Sequence, residues 1–241
     1  MSRLFKGFAL ALSMLTTLPF FKVHDFYRGI NGYAVMFYPL VGLLLGLILY
    51  ALSLLLTPYM PHFHLAVTLF VLWVVLTGAL HLDGFADTID GFFVPKERAL
   101  EVMKDSHVGG MGMVFTFLFL ALKISSIVYF KAYYLLPIIL MLSRFNATLA
   151  IYFGNYIGGG MGLLAKQELN FFQLFIAFAF TLALSLYANS FGMFVVSLLT
   201  LIVSAKFFSS RLGGLSGDIY GFIIEMSELV LLNYLIFTQL P

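Results

Sequence analysis

Apolar blocks of about twenty residues, the length that carries an α-helix across a hydrocarbon core, alternate with short polar breaks along most of this chain. They fall at about 31–57, 63–82, 110–130, 133–153, 171–189, 191–207 and 219–239, which predicts seven transmembrane helices. A further apolar stretch, Phe8 to Phe21, follows the basic Arg3 and Lys6 and is cut short by Pro19, Lys22, Asp25 and Arg28. No small-residue cleavage site follows it, so it reads as a retained interfacial or re-entrant helix rather than a signal peptide. The expected fold is therefore all-α, a polytopic bundle of about seven spans plus that short helix. No Pro-, Gly- or Ser-rich linker and no fixed-period repeat divides it, so residues 1–241 are expected to form one membrane-embedded domain.

With 62% hydrophobic and only 10% charged residues, the position of each charge carries information. Placing Arg3, Lys6, Lys22, Arg28, Lys96, Arg98, Lys104, Lys166, Lys206 and Arg211 on the cytoplasmic side satisfies the positive-inside rule. That threading puts the polar segments near 83–108, 155–170 and 207–218 on one side. The net charge of +2 says little about partners, and the absence of cysteine excludes disulfides, thiolate nucleophiles and Cys-ligated zinc.

The chemistry concentrates in His81-Leu-Asp-Gly-Phe-Ala-Asp-Thr-Ile-Asp-Gly91. On a helix, Asp83, Asp87 and Asp90 share one face, being four and seven positions apart. At an effective dielectric of about 20 and roughly 5–6 Å, each ionised pair repels by about 3 kcal/mol, which a divalent cation would relieve. Asp105, before the glycine-rich Ser106-His107-Val-Gly-Gly-Met-Gly112, is the fourth candidate ligand. An oxygen-only set favours Mg²⁺, with Mn²⁺ as a substitute, over zinc. The competing reading makes these acids helix caps or a solvated loop edge.

Further polar islands accompany this cluster. Arg211-Leu-Gly-Gly-Leu-Ser-Gly-Asp218-Ile-Tyr-Gly221 has the N–H-rich character of a phosphate or nucleotide loop. Beyond it, Glu225 and Glu228 share a face of an apolar helix and need a partner, with Arg144, Lys123 or a second cation as choices. Arg144 in mid-span either pairs with one of these acids or contacts a substrate phosphate. His81, Lys104 and His107, around the acidic run, complete the candidate substrate contacts. Tyr38-Pro39-Leu-Val-Gly42 with Gly46 predicts a kink and a close-packing face in the first long span.

The acidic run, the segment Arg98-Ala-Leu-Glu-Val-Met-Lys-Asp105, the Arg211–Gly221 segment with Glu225 and Glu228, and Tyr38-Pro39-Leu-Val-Gly42 together resemble the adenosylcobinamide-GDP ribazoletransferase (cobalamin synthase) family. Ser216 stands where that family's pattern has Thr, and 155–164 is a loose match. The resemblance implies transfer of α-ribazole, or its 5′-phosphate, onto adenosylcobinamide-GDP, giving adenosylcobalamin, or its 5′-phosphate, and GMP. It implies Mg²⁺ held by Asp83, Asp87, Asp90 and Asp105, with one of them accepting the ribazole proton, and Arg211 and Asp218 positioning nucleotide or nucleophile. Expected partners are those small molecules and the lipid bilayer, with no nucleic acid and with room for a homo-oligomer. The expected location is a prokaryotic cytoplasmic (inner) membrane, with the site facing the cytoplasm.

Two other readings compete with this one. Asp87-Thr-Ile-Asp90-Gly91 opens like the motif of CDP-alcohol phosphotransferases in phospholipid synthesis, but Phe92-Phe-Val-Pro95 replaces the Ala-Arg that should follow. A cation-coupled transporter would use the intramembrane acids as ion sites, although acids gathered at one edge rather than the midplane argue against it.

Overall fold

The computed structural model describes residues 3–18, 27–105 and 107–239. Pro19, Lys22, Asp25 and Ser106, which figured in the reading above, lie outside the described residues. Twelve α-helices and no strand occur among the described residues: α1 (Arg3–Leu15), α2 (Ile30–Met36), α3 (Tyr38–Leu56), α4 (His62–Leu76), α5 (Leu80–Phe92), α6 (Lys96–Val102), α7 (Gly110–Tyr129), α8 (Leu136–Phe153), α9 (Met161–Glu168), α10 (Phe171–Tyr187), α11 (Phe191–Leu212) and α12 (Gly217–Gln239). Five segments, centred on α3, α7, α8, α11 and α12, are long and apolar enough to cross a membrane, and counting each of two bent pairs as one span brings the number to seven. The chain is thus a multi-pass helical membrane bundle. At 13 residues, α1 is about 20 Å long, short of a hydrocarbon core of roughly 30 Å.

Burial orders the bundle from inside to outside. In α8, Ile139 to Leu142 and Phe145 are wholly buried, and α12 is the next most enclosed of the five long helices, whereas α7 and α11 present Phe117, Leu118, Leu199 and Val203 outward. In a bilayer such outward apolar faces meet acyl chains. The helix is interrupted where the kink was expected, and the close-packing face is present. Phe37 separates α2 from α3, Pro39 sits in the first turn of α3, and a methyl group at Gly42 or Gly46 would collide with the α8 backbone at Leu140 or Pro137.

The span expected at 63–82 is a broken one. It ends at Leu76, and α5 leaves at 83° to α4. Gly78 and Ala79 both adopt left-handed backbone (φ 60° and 57°), and the Ala79 N–H closes the end of α4 on the Val74 carbonyl at 3.0 Å. Thr17, just after α1, satisfies the freed carbonyls: its N–H donates to Leu76 O (2.9 Å) and its hydroxyl to Val75 O (3.0 Å). Hydropathy averages over this turn because the residues on both sides are apolar. A second bend of 92°, between α9 and α10, is fixed by a reciprocal capping box between Asn170 and Gln173.

Candidate active site

The ends of α5, α8 and α11 and the starts of α7, α9 and α12 gather at one end of the bundle. Arg211 donates to the carbonyls of Phe92 (3.4 Å) and Val94 (3.2 Å), and its guanidinium lies over the Phe92 ring. Leu215 N–H donates to Asn155 O (2.7 Å) and Ile157 N–H to Leu215 O (2.8 Å), tying the loop after α8 to the loop before α12. The three polar segments expected on one side of the membrane are therefore in mutual contact. Arg211 serves here as a brace between loops.

Asp83, Asp87 and Asp90 lie on α5, as the helical spacing predicts, but their surroundings differ. Asp90 is buried, and its carboxylate accepts the N–H groups of Gly109 and Gly112, each at 2.7 Å. It thereby fixes the first turn of α7, whose free N–H groups favour a carboxylate. A Cβ at Gly112 would collide with that carboxylate. Asp105 is exposed and bonded to His107, through the backbone N–H at 3.0 Å and the ring Nδ1 at 2.8 Å. These hydrogen bonds hold its carboxyl below the usual range, the side-chain bond contributing most.

The acids that do meet come from α5 and α12. Asp83, Asp218 and Asp90 are the charges that act on Asp87, which is half-buried. The helices approach closely because Gly84 abuts the Asp218 backbone, where a Cβ would stand 2.9 Å from its carbonyl oxygen. Asp218 itself receives the Ser216 hydroxyl at 3.3 Å and feels the charge of Lys104.

Two cavities meet at Asp218. One, about 260 Å³, is enclosed by α1, α3, α5, α8, α9 and α12 and is mostly apolar, with Tyr38, His81, Asp83 and Tyr220 on its walls. The other, about 270 Å³, is lined by Lys104, Tyr156, Ser216 and the backbone of Gly158, Gly159 and Gly162. Asp218, Gly217 and Gly162 border both. His81 is 2% exposed, and neither its Nε2 nor the Tyr220 hydroxyl finds a partner among the described residues. Sequence reasoning assigned no site role to Tyr38, Tyr156 or Tyr220. Tyr220 had a usable signal, an aromatic two positions after Asp218 in a glycine-rich loop, whereas nothing local links Tyr38 to that loop.

The remaining candidates lie deeper and form a separate cluster. Lys123 on α7 donates to Glu225 (2.6 Å) and Glu228 (2.5 Å), and Arg144 on α8 pairs with Glu228 and bonds the Ser143 hydroxyl. The Lys123 ammonium also lies 4.5 Å from the centroid of Trp73. Two cations thus answer two carboxylates within the bundle, and none of the four borders either cavity.

Among the described residues, no three of His, Cys, Asp or Glu stand close enough to hold one ion between them. The four acids expected to do so are not brought together: Asp90 is committed to α7 and Asp105 to His107. What Asp83, Asp87 and Asp218 offer is a set of hard oxygen donors of which Asp218 borders the lysine- and glycine-lined cavity. That set fits Mg²⁺, which commonly takes only one or two carboxylates and fills its shell with water and substrate phosphate oxygens.

Acids gathered across α5 and α12 at such a cavity, at one end of a multi-pass bundle, fit a membrane enzyme that acts on phosphate-bearing substrates. Comparison narrows the class: residues 7–236 match the family model described as CobS, cobalamin-5-phosphate synthase, and the chain belongs to this family. It is 33% identical over 240 residues to the adenosylcobinamide-GDP ribazoletransferase of Desulfitobacterium hafniense (strain Y51), covering 92% of this chain and 93% of that protein. Enzymes of the same description from Acinetobacter baumannii (strain ACICU; 35% over 234 residues, 93% of this chain and 94% of that one) and Pseudomonas fluorescens (strain Pf0-1; 36% over 219 residues, 83% and 86%) are similar as well. No solved structure matches.

Proposed function

We propose that this protein joins α-ribazole, or its 5′-phosphate, to adenosylcobinamide-GDP, forming adenosylcobalamin or its 5′-phosphate and releasing GMP. Family membership carries the reaction, and the meeting of two cavities at Asp218, beside Asp83 and Asp87, carries its location. Neither a phospholipid synthase nor a transporter is supported by the relatives.

A ribose hydroxyl oxygen attacks the phosphorus attached to the cobinamide. The new O–P bond forms as the bridging P–O bond to GMP breaks, and the hydroxyl proton passes to a carboxylate. Asp218, at the junction of the cavities, receives that proton in this reading. Lys104 and the glycine N–H groups hold the diphosphate against the negative charge of the acids. Asp87, with Asp83 or Asp218, would hold Mg²⁺. When bound, the ion neutralises diphosphate charge and aids departure of GMP. Tyr38 and Ile151, both buried, close the apolar side of the site against water.

The wider reading is a single catalytic domain in a prokaryotic inner membrane with this end in the cytoplasm, supported by the basic residues Lys96, Arg98, Lys104, Lys166 and Arg211 at the same end. The test is purified, detergent-solubilised protein incubated with adenosylcobinamide-GDP, α-ribazole and Mg²⁺, with cobalamin and GMP measured together. Equimolar products, lost with EDTA and regained with Mg²⁺, support the proposal. A well-folded protein that makes neither product refutes it.

A further inference from the structure

The two cavities that share Asp218 differ in the charge they will accept. The glycine-lined one sets Lys104 beside the shared Asp218, with Gly158, Gly159 and Gly162 in its wall, where an anion can approach the backbone closely. Among the described residues, no lysine or arginine lines the other; its ionisable groups are Asp83, Asp218, His81 and the tyrosines, within largely apolar walls. A diphosphate entering that chamber would lose its hydration opposite carboxylates, whereas a planar uncharged ring would displace water from apolar surface.

We propose that the enclosed cavity between α3, α5, α8 and α12 binds the heterobicyclic base of the nucleoside substrate, with its ribose toward Asp218, while the diphosphate occupies the Lys104 cavity. This assignment rests on the ribazole-transfer reading above. Guanine fits the enclosed cavity poorly, since its edge carries several donors and acceptors that apolar walls leave unpaired. A ribosylated benzimidazole has a single free ring nitrogen, an acceptor. His81 and Tyr220 both line this chamber, and both hold a buried polar atom without a partner among the described residues. A small rotation of either side chain into the chamber would supply the one donor that nitrogen needs. A corrin macrocycle is far larger than a chamber of about 260 Å³, so the cobinamide remains outside.

Ala147 and Ile151 border this cavity, and neither side chain carries a group assigned to the chemistry. Steady-state kinetics on purified Ala147→Leu, varying each substrate in turn, is expected to raise KM for α-ribazole about tenfold and to leave KM for adenosylcobinamide-GDP within about twofold. Ile151→Ala gives a gain that misfolding cannot mimic. The ratio of kcat/KM for a ribosylated naphthimidazole over ribosylated dimethylbenzimidazole should rise about tenfold. If Ala147→Leu raises KM for adenosylcobinamide-GDP instead, or both variants turn over with wild-type KM values and base preference, the assignment is overturned. If the wild-type protein itself forms no cobalamin, the reading of the reaction fails first, which separates the two failures.

Discussion

Two sets of ionisable residues lie within the bundle, and they behave oppositely. At one end, Asp83, Asp87 and Asp218 face one another across α5 and α12, with Asp218 bordering both cavities and Asp83 one, and the Lys104 ammonium acts on Asp218. Deeper inside, Glu225 and Glu228 are matched by Lys123 and Arg144, all four buried and apart from either cavity. Acid content does not separate the sets; compensation does. A buried carboxylate with a hydrogen-bonded cation has its charge answered and holds helices in register, while acids facing acids beside a cavity keep an electrostatic demand that substrate or metal must meet.

The sharpest attack on this contrast is to neutralise one acid of the open set. Asp218→Asn is expected to lower cobalamin formation about 10²–10⁴-fold while the midpoint of thermal unfolding in detergent stays at the wild-type value. A fully active variant would end the catalytic reading of Asp218.

Glu228→Gln should do the reverse. It leaves Arg144 buried without its carboxylate and is expected to cost about 3–5 kcal/mol of stability, read as a lower unfolding midpoint and poorer yield, with KM values preserved in the folded fraction. Replacing Lys123 with Met and Glu225 with Gln together should destabilise less than Lys123→Met alone, because the pair is removed rather than broken. An unchanged unfolding midpoint with lost activity would move the inner set into the active site.

Asp90 gives a smaller, intermediate effect, since its partners are two backbone N–H groups. Asp90→Ala should destabilise by about 1–3 kcal/mol, with amide exchange accelerated at Gly109 and Gly112 before the rest of α7. Wild-type exchange there would mean that its carboxylate does other work.

Asp105→Asn is expected to be mildest, because the side chain is exposed and its partner is His107. An unchanged unfolding midpoint and a drop in activity far below that of Asp218→Asn fit the geometry. A loss matching Asp218→Asn would restore Asp105 to the metal site implied by the family resemblance.

The long apolar runs, the short first helix, the kink before Pro39 and the small face of Gly42 and Gly46 were legible in the sequence. Each depends on neighbours within a turn or two, or on one residue's size. The shared face of Asp83, Asp87 and Asp90 was legible for the same reason. Their division of labour was not: Asp90 is claimed by N–H groups 19 and 22 positions further on, and Asp87 answers to Asp218 across the α5–α12 contact. The bend at Gly78 and Ala79 also escaped the apolar pattern, because both flanking helices are hydrophobic and a left-handed turn leaves no trace in hydropathy.

By itself, then, the sequence determined that this is a helical membrane protein with a carboxylate-rich polar edge, since transfer of apolar segments into lipid and helical periodicity are local properties. The tertiary structure alone decided which charges are spent on one another and which are left for chemistry. Lys123 meets Glu225 and Glu228 from more than a hundred positions away, and whether an ionised group is answered or exposed depends on what the fold brings within a few ångströms of it.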